Sequence, residues 1–108
     1  MGSALVGAGA DKNAASRDET PLFFAARKGH EALVSALVGA GADKNAAKQD
    51  GATPLFIAAR NGHDTVVSAL VAAGADKNAA TQDGATPLWI AAHFGHEAVM
   101  SALVGADS

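Results

Sequence analysis

His30, His63 and His96 are the first residues to weigh for chemistry, because imidazoles bind zinc and move protons. Each follows a glycine, and they stand 33 residues apart. A shared metal would need three rings converging on one point. His93 and His96 are three apart, but Gly95 breaks the helix between them and no third ligand is evident. Asp11, Asp43 and Asp76 recur in the same Gly-Ala-Asp-Lys-Asn context, which marks them as turn residues rather than as a paired acid and base. Ala36 to Ala42 resembles a strand entering a dinucleotide loop, but Lys44 stands where the third glycine is required and the segment recurs along the chain. No Ser-His-acid or paired-carboxylate constellation is visible. With no cysteine, neither a thiolate metal site nor a disulfide framework is available. The expectation is therefore no catalytic residue, no cofactor and no metal.

These residues recur because the whole chain recurs. Thr20-Pro21-Leu22, Ala25-Ala26 and Gly29-His30 return as Thr53-Pro54-Leu55, Ala58-Ala59 and Gly62-His63. They return again as Thr86-Pro87-Leu88, Ala91-Ala92 and Gly95-His96. A fixed period of this length means one supersecondary unit stacked on copies of itself. Such stacking spaces the three histidines by about 10 Å, a helix-to-helix distance, so they do not converge.

The 108 residues make one domain, 1–108. Its hydrophobic content of 49 % is mostly Ala, Val and Leu with five aromatics, which suits a thin core between closely packed helices. A formal charge of −3 supplies no basic field for nucleic acid. The longest apolar run, Leu33 to Ala42, is interrupted by Ser35, Gly39 and Gly41 and falls short of the roughly 20 residues that cross a bilayer. Met1-Gly2-Ser3 reads as an expression-vector remnant, because Val6 stands where myristoylation needs Ser or Thr. No targeting signal is read, and an intracellular setting is expected if the protein is natural.

In the middle copy, Asp50-Gly51 is a turn dipeptide. Thr53 caps a helix, Pro54 fits its first position, and Gly62 stops it. Leu55, Ala58 and Ala59 share one helical face. A second helix runs from about Asp64 to Ala72, carrying Val66, Val67, Leu70 and Val71, and Gly74 ends it. Two helices of two to three turns do not bury both faces alone, so interfaces between repeats must hold the fold.

The Thr-Pro-Leu, Ala-Ala, Gly-His and Gly-Ala-Asp-Lys-Asn-Ala elements at fixed offsets make the chain resemble the ankyrin repeat family over nearly its whole length. The resemblance implies an all-α solenoid of three helix-turn-helix units (20–40, 53–73 and 86–106). β-Hairpin finger loops (9–19, 42–52 and 75–85) would project from it, with a helix stub at 3–8. It also implies a protein-binding module, without catalysis, that uses a concave face of fingertips and first helices. The positions it assigns to that face are Arg17, Asp18, Glu19, Arg27 and Lys28, then Gln49, Asp50, Ala52, Arg60 and Asn61, then Gln82, Asp83, Ala85, His93 and Phe94. Phe94 stands out because its equivalents are Lys28 and Asn61. It is read either as a binding hot spot or as a lid over the last repeat. Arg27, Lys28 and Arg60 are read as a small basic strip.

Several features depart from the family pattern. Phe23, Phe56 and Trp89 replace the usual histidine after Thr-Pro-Leu, so aromatic packing is expected in place of its hydrogen bonds. The first finger is one residue short, and Asp18-Glu19 stands where Asp50-Gly51 and Asp83-Gly84 stand later. Residues 39–71 and 72–104 differ at eight positions, which points to recent duplication or to a designed, consensus-like repeat. The chain opens and closes on the same second-helix segment, Ser3 to Ala8 and Ser101 to Ala106, so the ends are not conventionally capped. Leu88, Val99 and Leu103 are expected on a bare C-terminal face. Two functions follow: a binder of a protein partner, or a structural repeat scaffold that pairs with itself through its ends, head to tail or as a symmetric dimer.

Overall fold

Three threonines each start a helix in the same way. The hydroxyls of Thr20, Thr53 and Thr86 accept from the backbone N–H three residues on, at Phe23, Phe56 and Trp89, each at 3.1 Å. The proline that follows occupies the first turn, where its missing N–H has no partner to lose. A computed structural model describes residues 19–105. Six helices are found there: α1 (Pro21–Lys28), α2 (Glu31–Gly39), α3 (Pro54–Arg60), α4 (Asp64–Ala72), α5 (Pro87–His93) and α6 (Glu97–Gly105). The stub at 3–8 and most of the first finger lie outside the described residues, as does the expected difference at its tip.

α1 is capped by Gly29 itself, while α3 and α5 are capped by Asn61 and Phe94, one residue before the glycine. At the middle copy Gly62 has φ 76°, and the His63 N–H reaches back to the Ala58 carbonyl at 2.9 Å. This reverses the chain and starts the second helix, whose first turn carries an acid (Glu31, Asp64 or Glu97) that complements the helix dipole.

The helices form two rows. First helices α1, α3 and α5 pack on one another, second helices α2, α4 and α6 do the same, and each first helix packs on its own second. The paired alanines explain the close approach: Ala25, Ala26, Ala58, Ala59 and Ala91 are fully buried. Leu22, Leu55, Leu70, Val34, Val66, Val67 and Val99 fill the space between the rows. Val99 and Leu103, expected on a bare outer face, are buried instead. They occupy the positions of Val66 and Leu70, which point toward the preceding repeat. Leu88 is exposed as expected.

The expected β-hairpin fingers are hydrogen-bonded turns, and no strand occurs among the described residues. Each tip closes with one rung: Lys48 N–H to the Ala52 carbonyl, and Thr81 N–H to the Ala85 carbonyl, both 2.9 Å. Side chains do the remaining work. The Asp43 and Asp76 carboxylates accept from the N–H of Asn45 and Asn78, two residues on. The Asn45 side-chain oxygen accepts from the Asp76 N–H at 2.8 Å, which ties one finger to the next. The turn role read for these acids therefore holds for Asp43 and Asp76, while Asp11 lies outside the described residues.

The caps carry a test. Thr53 is buried and Thr86 is only partly so. Thr53→Ala leaves a buried N–H without its acceptor and costs about 1–2 kcal/mol in urea unfolding. Thr86→Ala frees an N–H that water reaches, and costs about 0.5 kcal/mol.

Candidate protein-binding face

The groove between the finger turns and the first-helix row is built twice. Phe23, Phe56 and Trp89 each sit at the third position of a first helix, so one aromatic per repeat faces the fingers. The first hollow, about 350 Å³, is lined by Phe23, Arg27, Lys48, Asp50, Ala52, Phe56, Ile57 and Arg60. The second, about 380 Å³, is lined by Asp50, Phe56, Thr81, Gln82, Asp83, Ala85, Trp89 and Ile90. Phe56 to Ile90 in the second are mostly the residues of the first moved on by one repeat. The hollows are alike in volume and opposite in the sign of their lining charge. Three cations and one carboxylate surround the first, and two carboxylates with no cation line the second.

The third repeat adds an aromatic array. Trp89 and His93 stack with ring centroids 5.1 Å apart and planes at 8°. His93 meets Phe94 edge-on at 4.9 Å, and Phe94 lies 6.2 Å from His96. The Arg60 guanidinium stands 5.9 Å from the Phe94 centroid. Trp89 is 55 % exposed and Phe94 49 %. At the positions of the missing histidine, Phe23 and Phe56 are buried, while Trp89 is exposed and stacks on His93. Phe94 faces Arg60 and His96, along the stack.

Two family models match the chain: 'Ankyrin repeats (3 copies)' over residues 2–81 and 'Ankyrin repeat' over residues 83–108. The chain belongs to the ankyrin repeat family. No curated relative matches it. Ankyrin repeats generally mediate protein–protein interaction and are typically non-catalytic. No group of three or more His, Cys, Asp or Glu suited to a metal occurs among the described residues, and no helix described there is long and apolar enough to cross a membrane.

Within this ankyrin frame two of the Gly-His histidines, His63 and His96, are joints between repeats. His63 Nε2 donates to the Arg27 carbonyl at 2.9 Å, and His96 Nε2 donates to the Arg60 carbonyl at 3.0 Å. A carbonyl only accepts, so both rings carry their proton on Nε2. Asn61 Nδ2 adds a second donor to the Arg27 carbonyl at 3.2 Å, which Phe94 cannot do for Arg60.

The face residues separate into engaged and open groups. Glu19 is nearly buried and engaged: Arg27 Nη1 lies 2.6 Å and Lys48 Nζ 3.7 Å from the same carboxylate oxygen. The expected basic strip of Arg27, Lys28 and Arg60 is divided. Arg27 is held by Glu19, while Lys28 lies 5.8 Å from the exposed ring of Phe24 and Arg60 lies beside Phe94. Asp50 binds its own turn through the Ala52 N–H, and its carbonyl accepts from the Gln82 N–H at 2.8 Å. Gln82 Nε2 donates to the Gln49 carbonyl at 2.6 Å, and the Asp83 carboxylate accepts from the Thr81 hydroxyl. Ala52 is buried, Ala85 is half-buried, and Arg17 and Asp18 lie outside the described residues. Sequence reasoning missed Lys48, Phe24 and the lining role of Ile57. The signal for Lys48 was present: it differs from its counterpart Thr81 two residues before the tip acid, where the groove is lined.

Proposed function

We propose that this ankyrin domain is a non-catalytic protein-interaction module whose partner seats along the groove between finger turns and first helices. The observation that supports this most is the pair of hollows of similar volume and opposite charge one repeat apart. A groove serving only to close the fold has no reason to change charge along its length while keeping its volume. Arg60, His93 and Phe94 sit where the two repeats diverge most, and exposed aromatics and arginines are the residue types that carry binding energy at interfaces. In a pull-down with wild-type chain as bait, the double substitution Arg60→Ala and Phe94→Ala is expected to reduce partner capture at least about tenfold. Unchanged capture, with far-UV circular dichroism intact, would place the partner elsewhere.

A second reading, favoured by a different observation, is a self-associating repeat scaffold. Leu88, Trp89 and Val104 are exposed in the last repeat, where Leu55 and Phe56 are buried and Val71 is half-buried. Molar mass by light scattering against concentration tests it: a mass that rises with concentration supports the scaffold.

A further inference from the structure

The repeats of this chain meet through two unlike faces, and the described residues show both. One face points to the following repeat. Leu22 and Leu55 are buried there while Leu88 is 42 % exposed, and Ala26 and Ala59 are buried while Ala92 is exposed. Val34 and Val67 are buried while Met100 is half-buried. The other face points to the preceding repeat. Ile57 and Ile90 are buried while Phe24 is 43 % exposed, and Val66 and Val99 are buried while Leu33 is 44 % exposed. Leu70 and Leu103 are buried while Leu37 is half-buried. Glu19, Thr20, Pro21, Phe24, Leu33 and Leu37 border an open hollow of about 360 Å³ at that end.

Resting on the self-association reading above, we infer that a second copy of this chain stacks head to tail on the first. The α5–α6 face of one copy, with Leu88, Ala92, Met100 and Val104, covers the α1–α2 face of the next, with Pro21, Phe24, Leu33 and Leu37. The argument is continuity with an interface the chain already makes twice. The residues on each open face are the counterparts of residues that bury one another at the junctions between repeats one and two and between two and three. The polar joint continues as well. His63 donates to the Arg27 carbonyl and His96 to the Arg60 carbonyl. The next acceptor in that series is the His93 carbonyl, and the donor one repeat before His63 is His30, which is exposed. A stacked copy brings His30 Nε2 onto the His93 carbonyl. The two faces are different surfaces, so the contact is heterologous and repeats without closing, giving open rods rather than a fixed dimer.

The experiment uses the full chain and two blocked variants. Leu88→Glu with Val104→Glu blocks one face, and Leu33→Glu blocks the other. All three positions are exposed, so circular dichroism is expected to match the wild type. Single substitutions to Lys at Val104 and Leu33 repeat the test with milder changes. By sedimentation velocity the wild type is expected to show a mass that grows with concentration, and each variant alone to remain a monomer. An equimolar mixture of the two variants is expected to give a one-to-one dimer, because each retains the face the other lacks. His30→Ala is expected to weaken wild-type association about two- to tenfold, the contribution of one hydrogen bond. A Leu33→Glu variant that still dimerises means a symmetric pairing, which overturns head-to-tail stacking and keeps self-association. A wild type that stays monomeric at every concentration overturns both.

Discussion

Leu55→Ala is expected to lower the free energy of unfolding by about 2–4 kcal/mol, and Leu88→Ala, the same change one repeat later, by less than about 1 kcal/mol. The two leucines occupy the second position of identical Thr-Pro-Leu starts, on helices of equal length. Local propensity therefore cancels between them. Leu55 has no exposed surface, and its side chain is covered by neighbouring helices. Truncation there removes transfer free energy and leaves a cavity that α3, held between α1 and α5, cannot collapse. Leu88 is already open to water, so its truncation loses little burial. Urea unfolding followed by circular dichroism, in dilute solution where chains do not associate, measures both. Equal losses would mean that the repeats are held up from within, and the stacking account of this fold would fall.

Gly51→Ala is expected to cost about 3 kcal/mol, against about 1–2 kcal/mol for Gly84→Ala. Both glycines have φ 88°, in the left-handed region where a Cβ is strained, so the conformational part of the cost is common to both. Their surroundings differ. A Cβ on Gly51 would lie 2.9 Å from the Thr81 Cα and 3.1 Å from the Gln82 nitrogen, while nothing lies within 4 Å of one on Gly84. The obstructing atoms are backbone of the next finger, and that backbone is fixed by the Gln82 N–H bond to the Asp50 carbonyl. It does not swing aside as a side chain would. Gly51→Ala is therefore expected to part the two fingers and to open the second hollow, while Gly84→Ala leaves the groove intact. Chemical-shift changes on Gln82 in the first variant and not in the second would report this directly. Equal destabilisation would show that only the turn conformation matters.

The two comparisons share a lesson about where the information lies. Thr53-Pro54, the paired alanines and Gly62 each act within a few residues of chain, through a hydroxyl cap, a fixed φ, a small Cβ and a left-handed turn. Those effects are local, so helix boundaries and the repeat architecture were legible before any coordinate. His63 and His96 were also legible as structural, because a 33-residue period keeps them apart. The fingers were only half legible. Asp and Asn turn chemistry identified the loops, but whether the flanking residues pair as strands depends on rungs between them, and each tip makes one.

What the sequence by itself determined is the repeat and its helix pairs, and the apolar faces they must bury. What only the tertiary structure decided is the fate of residues that are the same letter in each copy. Leu55 and Leu88, or Gly51 and Gly84, are indistinguishable locally and differ in burial because only one has a following repeat against it. The same holds for Glu19, whose carboxylate is engaged by Arg27 and Lys48, and for Val99 and Leu103, which turn toward the preceding helix. Burial and ion pairing depend on which surface another part of the chain covers, and stacking order is a property of the assembled solenoid rather than of any one repeat.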